Sequence, residues 1–129
     1  MIGKHCGVTV LPEVGCVMIE WLGLPTSEEF RQGCNMVIDL LKVNGFSKVL
    51  VNNSGATLFS ISDQHWLNVE WLPKAEKAGY RYSATVLGDS DVFVKFAVQS
   101  IARKRDQSKF VSKSFKSTQE ASDWLGSVS

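Results

Sequence analysis

The sequence predicts an α/β domain with a mixed, mostly parallel sheet and four helices, in the order ββαβαβαβα. Two observations carry that expectation. The hydrophobic pattern alternates between the two-residue period of strands and the roughly 3.6-residue period of helices. Helix-opening and helix-closing signals fall at the changes: Thr26–Glu29 and Ser117–Glu120 as capping boxes, Asn44-Gly45 and Gly79 as stops.

Taken in order, Gly7–Leu11 and Val14–Trp21 are rich in Val, Ile and Met around Pro12-Glu13, which reads as two strands joined by a tight turn. Thr26 then caps a helix, with Glu29 reaching back to it. Phe30, Cys34, Val37, Ile38 and Leu41 follow at i, i+4, i+7, i+8 and i+11, one apolar stripe along a helix that ends near Asn44-Gly45. Lys48–Asn52 contains the short apolar run of a strand buried on both faces. Asn53–Ser60 reads as a polar loop.

A second helix is expected from Ser62 or Asp63 through Trp66 and Val69. Pro73 lacks a backbone N–H and clashes with the preceding turn, so this helix must kink or restart there. Tyr80, Tyr82, Ala84 and Val86 alternate with Arg81, Ser83 and Thr85, a strand with one apolar face. Asp89–Asp91 offers caps for a helix using Val92, Phe93, Phe96, Ala97 and Ile101 and ending in Arg103-Lys104-Arg105. Lys109–Phe115 is a polar strand suited to a sheet edge. The final helix places Ala121, Trp124 and Leu125 on one face. Strands separated by helices pair in parallel through right-handed crossovers. If the strands are added sequentially, the helices gather on one side. The other side then needs cover from the kinked second helix, a partner subunit or a ligand.

The 129 residues, 44% hydrophobic and 21% charged with net charge +1, suit a single domain over 1–129 with one real core. Near-neutral charge provides no broad attraction for nucleic acid. No apolar run approaches the roughly 20 residues of a membrane span, and the start of the chain lacks the apolar core of a secretion signal. Three cysteines without a Cys-x-x-Cys pair indicate reduced, partly buried thiols in the cytoplasm, although a Cys6–Cys16 bridge across the hairpin stays open.

Trp21-Leu22-Gly23 after the second strand and Thr26-Ser27-Glu28-Glu29-Phe30-Arg31 opening the first helix form part of a wider pattern. It continues through Lys48-Val49-Leu50-Val51, Ile61-Ser62-Asp63 before Trp66, Pro73 before Ala78-Gly79, Phe115, and Glu120-Ala121-Ser122-Asp123-Trp124-Leu125. In this order the motifs resemble the SpoIIAA-like (STAS-type) fold, and more closely the small bacterial STAS/SEC14 domain-containing proteins. The resemblance implies a cytoplasmic, non-enzymatic domain that binds a partner protein or a small or lipidic ligand, often as a dimer. In anti-sigma-factor antagonists of this fold, a serine after the third strand is the phosphorylation switch, in a site of Asp-Ser-Ser-Gly character. Here the corresponding stretch is Asn52-Asn53-Ser54-Gly55, so only Ser54-Gly55 carries over.

Ser54 is therefore the candidate phospho-switch, beside its plainer reading as a loop serine next to a turn glycine. Trp66 and Trp71, about 140° apart on an ideal helix, are candidate core or interface anchors. With Phe59 and Tyr82 they could alternatively form an aromatic wall for an apolar ligand. His5 and His65 have no nucleophile assigned by sequence, and His5, Cys6 and Cys16 match no common zinc spacing. Asp63 and Glu70 read as helix charge and a solvated carboxylate, and Arg103-Lys104-Arg105 as a solvated helix end.

The expectation is a binding domain with no cofactor, no metal and no catalytic residue. It acts on an unidentified protein partner, as a homodimer, without nucleic acid or membrane insertion. The alternative is a carrier or sensor for a small apolar or lipid-like ligand. That reading requires an apolar cavity of at least ~300 Å³ with a few convergent polar groups.

Overall fold

The computed structural model describes residues 5–56, 60–88 and 92–128, with the backbone alone at 56 and 92–94. Strands β1 (Cys6–Leu11) and β2 (Cys16–Gly23) form an antiparallel hairpin in which Leu11 faces Cys16. Strands β3 (Lys48–Ala56), β4 (Tyr82–Val86) and β5 (Val111–Phe115) continue the sheet in parallel, in the spatial order β1-β2-β3-β4-β5. Helix α1 spans Ser27–Asn44, α3 spans Val92–Arg103 and α4 spans Thr118–Ser127. Between β3 and β4 runs α2, a continuous helix made of an α segment Ile61–Trp66, a π turn Leu67–Trp71 and a second α segment Leu72–Lys77.

Helix α1 forms for the reasons its sequence offers. Thr26 Oγ1 accepts from the Glu29 N–H at 3.1 Å, and Glu29 Oε1 accepts from the Thr26 N–H at 2.9 Å. Gly45 closes it in the left-handed region at φ 67°. The apolar stripe Phe30, Cys34, Val37, Ile38 and Leu41 is buried throughout. At the start of α4, Ser117 Oγ accepts from Glu120 N–H at 3.2 Å, the first half of the expected box.

Two cores lie on either side of the sheet. The larger joins α1 and α2 to Val17, Ile19, Trp21 and Val49, with Val98 of α3 packed against it. The smaller places Ala121 and Leu125 of α4 on Cys16, Leu50, Ala84 and Val86. The first three helices thus share one face, as sequential strand order requires. The opposite face, for which the kinked second helix, a partner or a ligand was the expected cover, carries α4, while the kinked second helix lies with α1 on the first face. The physical reason is that β5 ends the sheet. Among the described residues no strand follows α4, so no crossover between paired strands holds it on the first face. Lys48 Nζ anchors it by donating to Leu125 O at 2.6 Å.

Other boundaries move for identifiable reasons. Helix α2 starts at Ile61, earlier than Ser62 or Asp63, because Ser60 Oγ accepts from Asp63 N–H at 3.0 Å and so caps it. Its irregularity precedes Pro73, where the Leu72 N–H bonds to Leu67 O across a wide i→i+5 turn. Tyr80 does not begin β4. Its N–H bonds to Ala75 O at 3.0 Å and its ring joins the larger core, whereas Tyr82 faces the smaller one. Phe110 is likewise buried in a turn before β5, with its N–H on Asp106 O. Phe96, expected inward, is 66% exposed, while Ala97 is buried and Val98 and Ile101 are half-buried. The expected caps at Asp89–Asp91 and the inward positions of Val92 and Phe93 lie outside the described residues and side chains.

The largest change is in β3. The stretch from Asn53 to Ala56, expected as loop, continues the strand and pairs Gly55 with Leu22 and Ala56 with Gly23. Asn52 still pairs with Glu20, so Asn53 and Ser54 together oppose Trp21 alone. This is a β-bulge, the device by which a strand gains one residue and redirects its side chains.

Candidate functional site

Strand alternation decides which side chains look toward α1–α3. On β2 and the first part of β3 these are aliphatic or aromatic: Val17, Ile19, Trp21, Val49 and Val51. Farther along the same face the chemistry changes. Asn53, Ser83 and Thr85 are buried, and with Ser112 and Ser114 they give the floor beneath α3 a polar, mostly hydroxyl character. Small polar residues leave room where the other half of the sheet is filled. The result is a half-enclosed cavity of about 360 Å³ between the sheet and the three helices.

Its apolar wall includes Trp21, Phe30, Val37, Leu67, Trp71, Val98 and Ile101. Trp71 is fixed by its indole N–H, which donates to Cys34 O at 2.7 Å, and by an edge contact to Tyr80 at 5.5 Å. Trp66 is half-buried one turn earlier, edge-on to Phe30 at 6.2 Å with the Arg31 guanidinium 5.1 Å from its ring centroid. The π turn explains why two residues five apart both reach α1: an i→i+5 turn returns the chain to nearly the same face, unlike the 140° of a regular helix. Of the four candidate aromatic anchors, Trp71 lines the cavity and Trp66 sits beside it. Tyr82 is on the opposite face, edge-on to Trp124 at 6.3 Å. Phe59 lies outside the described residues.

The cavity rim carries a residue that the sequence reading assigned to a solvated helix end. Arg105 turns inward, its Nη1 donating to Tyr80 Oη at 2.8 Å and its Nε to Asn68 Oδ1 at 3.2 Å, with the guanidinium 5.7 Å from the Tyr80 ring centroid. Arg103 and Lys104 of the same run are exposed, as expected. Tyr80 and Arg105 are the main site residues missed in the sequence. The signal lay in Tyr80 following Gly79, since an aromatic that caps a helix need not keep the alternation of the next strand.

Ser54 occupies a different surface, exposed near the carboxyl end of β3. Its hydroxyl donates to Asn52 Oδ1 at 2.6 Å, and its own N–H reaches the same oxygen at 3.1 Å. Asn52 is aimed by its Nδ2 donating to Glu20 Oε2 at 3.1 Å. Gly88 passes so close that a Cβ there would lie 3.0 Å from Ser54 Cβ.

The titratable groups are arranged for structure. His5 Nδ1 pairs with Glu29 Oε1 at 3.0 Å. Asp63 is buried where α2 meets α1, accepting from Ser27 Oγ at 3.0 Å with Arg31 Nε at 3.7 Å; Glu70 is exposed. Cys6 and Cys16 face different cores, so no bridge joins them, and all three cysteines are free. Burial raises the Cys6 and Cys16 thiols from 9.0 to about 11 and pushes Cys34 well above 9.0. Such thiols are poor nucleophiles near neutral pH. Among the described residues, no three His, Cys, Asp or Glu side chains gather in a metal-holding group. Nor is any helix among them long and apolar enough to cross a membrane.

An antiparallel hairpin leading a sequential parallel sheet, with three helices on one face and the last on the other, defines the SpoIIAA-like (STAS-type) fold. The unphosphorylated form of the anti-sigma factor antagonist SpoIIAA matches 95% of this chain and 99% of its own, with a TM-score of 0.65 and 13% identity. At that identity the likeness is one of fold. No family model matches the chain, and no curated protein matches its sequence.

Proposed function

We propose that this is a non-enzymatic, cytoplasmic regulatory domain that acts by docking a protein partner at the carboxyl ends of its parallel strands, around Ser54. The carrying observation is the position of Ser54: exposed, at the end of the central strand, on a fold shared over almost its whole length with an anti-sigma factor antagonist. Open α/β sheets bind ligands at the carboxyl ends of their strands. Exposed Leu24 after β2 and Ile61 at the start of α2 add apolar surface at the same end.

Phosphorylation of Ser54 would act through charge. The phosphate brings nearly two negative charges and abolishes the hydroxyl donation to Asn52. Glu20, held by that same Asn52, then stands near a like charge, so the local surface changes sign and geometry together. The test uses protein isolated from its own host, with native mass spectrometry to find a bound protein and to map phosphate on Ser54. The identified partner should bind Ser54→Ala normally and Ser54→Asp at least about tenfold more weakly, a difference of about 1.4 kcal/mol. Equal binding of both variants removes Ser54 from the proposal, and a ligand-free, partner-free monomer from the host argues against docking altogether.

The cavity favours a second reading, a carrier or sensor of a small amphipathic ligand. Its volume of about 360 Å³ falls within the range of small-molecule sites, and its wall is apolar with polar groups on one side. A small molecule retained by host-derived protein, and lost on filling the floor with Ser83→Leu, is the expected result for this reading.

A further inference from the structure

The cavity is not uniformly apolar, and its asymmetry identifies the chemistry of an occupant. We infer that it takes an amphiphile with a single anionic head group, carboxylate or phosphate, held at Arg105 with its aliphatic tail along Trp71 and Phe30. The inference rests on the ligand-binding reading above and specifies the ligand class.

Three features of the rim point to an anion. Arg105 is half-buried and lines the cavity, yet among the described residues it has no carboxylate partner. Its Nε and one Nη1 hydrogen serve Asn68 and Tyr80, both neutral acceptors, which leaves Nη2 and the second Nη1 hydrogen for a bidentate partner. Among the described residues, the cavity lining includes Arg103 as well and no Asp or Glu. Lys113 lines it too, but its ammonium is turned 5.7 Å over the Phe115 ring, on the face covered by α4.

The remaining walls explain why the ligand should be amphipathic. A free inorganic anion would satisfy Arg105 but leave the apolar surface of the half-buried Leu67, Val98 and Ile101 facing water. An alkane would cover that surface and leave the guanidinium without a counter-charge. A guanidinium anchored through Tyr80 and Asn68 is already oriented, so little side-chain freedom is lost when an anion pairs with it. Partial removal from water strengthens the pairing further.

The experiment titrates the full-length chain with decanoate, decyl phosphate, decanol and decylamine. Tryptophan fluorescence reports binding, since Trp21 and Trp71 line the cavity, and calorimetry confirms it. At least one anion should bind at least about tenfold more tightly than decanol, as expected for a charge-assisted hydrogen-bonded pair, with decylamine weakest. The tighter anion identifies the head group. Arg105→Gln should bring that anion to the level of decanol while leaving decanol unchanged, and Arg105→Lys should retain part of the preference.

Equal affinities for decanol and both anions would overturn the inference while leaving the apolar cavity as a binding site. Absence of binding by all four would overturn the ligand-binding reading itself. An anion preference that persists in folded Arg105→Gln would overturn the assignment to Arg105. If Arg105→Gln does not fold, the four-ligand series on the unaltered chain still decides the charge preference.

Discussion

Replacing Gly33 with alanine tests how closely α1 approaches the hairpin, the contact that positions one wall of the cavity. Two effects oppose each other. In a helix interior alanine is favoured over glycine by about 1 kcal/mol. A Cβ at position 33, however, would lie 2.7 Å from Cys6 Sγ, 3.0 Å from the Trp21 ring and 3.4 Å from Ile19 Cδ1. Cys6, Trp21 and Ile19 are 0%, 3% and 3% exposed, so none can swing into solvent and α1 must lift from the sheet. Overpacking of this kind costs about 1–3 kcal/mol, and the near-overlap with sulfur puts it toward the upper end. The expected net loss is about 1–2 kcal/mol. Urea denaturation followed by tryptophan fluorescence should show it as a lower midpoint at unchanged slope. Cys6→Ala removes the nearest obstacle, so Gly33→Ala should cost at least about 0.5 kcal/mol less in that background. A raised midpoint for Gly33→Ala, or strictly additive effects in the double variant, would refute the close approach as the reason for glycine.

Trp71→Phe should destabilise the fold by about 2 kcal/mol in the same assay, because it removes the buried indole donation to Cys34 O and leaves space beside Tyr80; an unchanged midpoint would show that this bond contributes nothing net. The cysteines predict a loss of stability in alkali. The unfolded chain gives up thiol protons near the ordinary 9.0, whereas folded Cys6 and Cys16 hold theirs to about 11. Between those values the unfolded state binds fewer protons, so stability falls as pH rises. Alanine at both positions should flatten the decline between pH 9 and 11 relative to the unaltered chain, and an identical slope would assign it to other groups.

Most of the fold was legible because its signals are local. The Thr26–Glu29 box, the stripe from Phe30 to Leu41 and Gly45 are all read within one helix, and each holds in three dimensions. What the sequence did not reveal depends on contacts between distant segments. Nothing local distinguishes a strand ending at Asn52 from one that bulges and continues to Ala56, since the extra pairing is made with Leu22 and Gly23. Tyr80 and Tyr82 fit one alternation, yet the bond from Tyr80 N–H to Ala75 O places the first with α2 and leaves only the second in β4. Arg105 belongs to a basic run that suits solvent, and only Asn68 and Tyr80, 37 and 25 residues away, turn it inward. The cavity was the least legible feature. It arises because Ser83, Thr85, Ser112 and Ser114 are too small to fill the space under α3, and a polar alternation in sequence suggests a solvated face instead.

The bulge in β3 links the two binding readings in a way that neither requires by itself. Asn53 is buried and lines the cavity, while Asn52 and Ser54 bond to each other on the other side of the strand, where Asn52 also meets Glu20. A regular strand would place residues 52 and 54 on one face and 53 on the other, all rigidly paired. Here Asn53 and Ser54 share a single opposing residue, Trp21, and Trp21 also lines the cavity. A ligand against Trp21 and Asn53 therefore bears on the backbone segment that carries Ser54. Any such coupling is reciprocal, because affinities at two sites change by the same factor in both directions. A partner that docks at Ser54 and prefers one geometry of the bulge must alter ligand affinity to the degree that the ligand alters its own. On the two proposed readings, protein docking and ligand binding would be two occupancies of one strand, joined through consecutive residues.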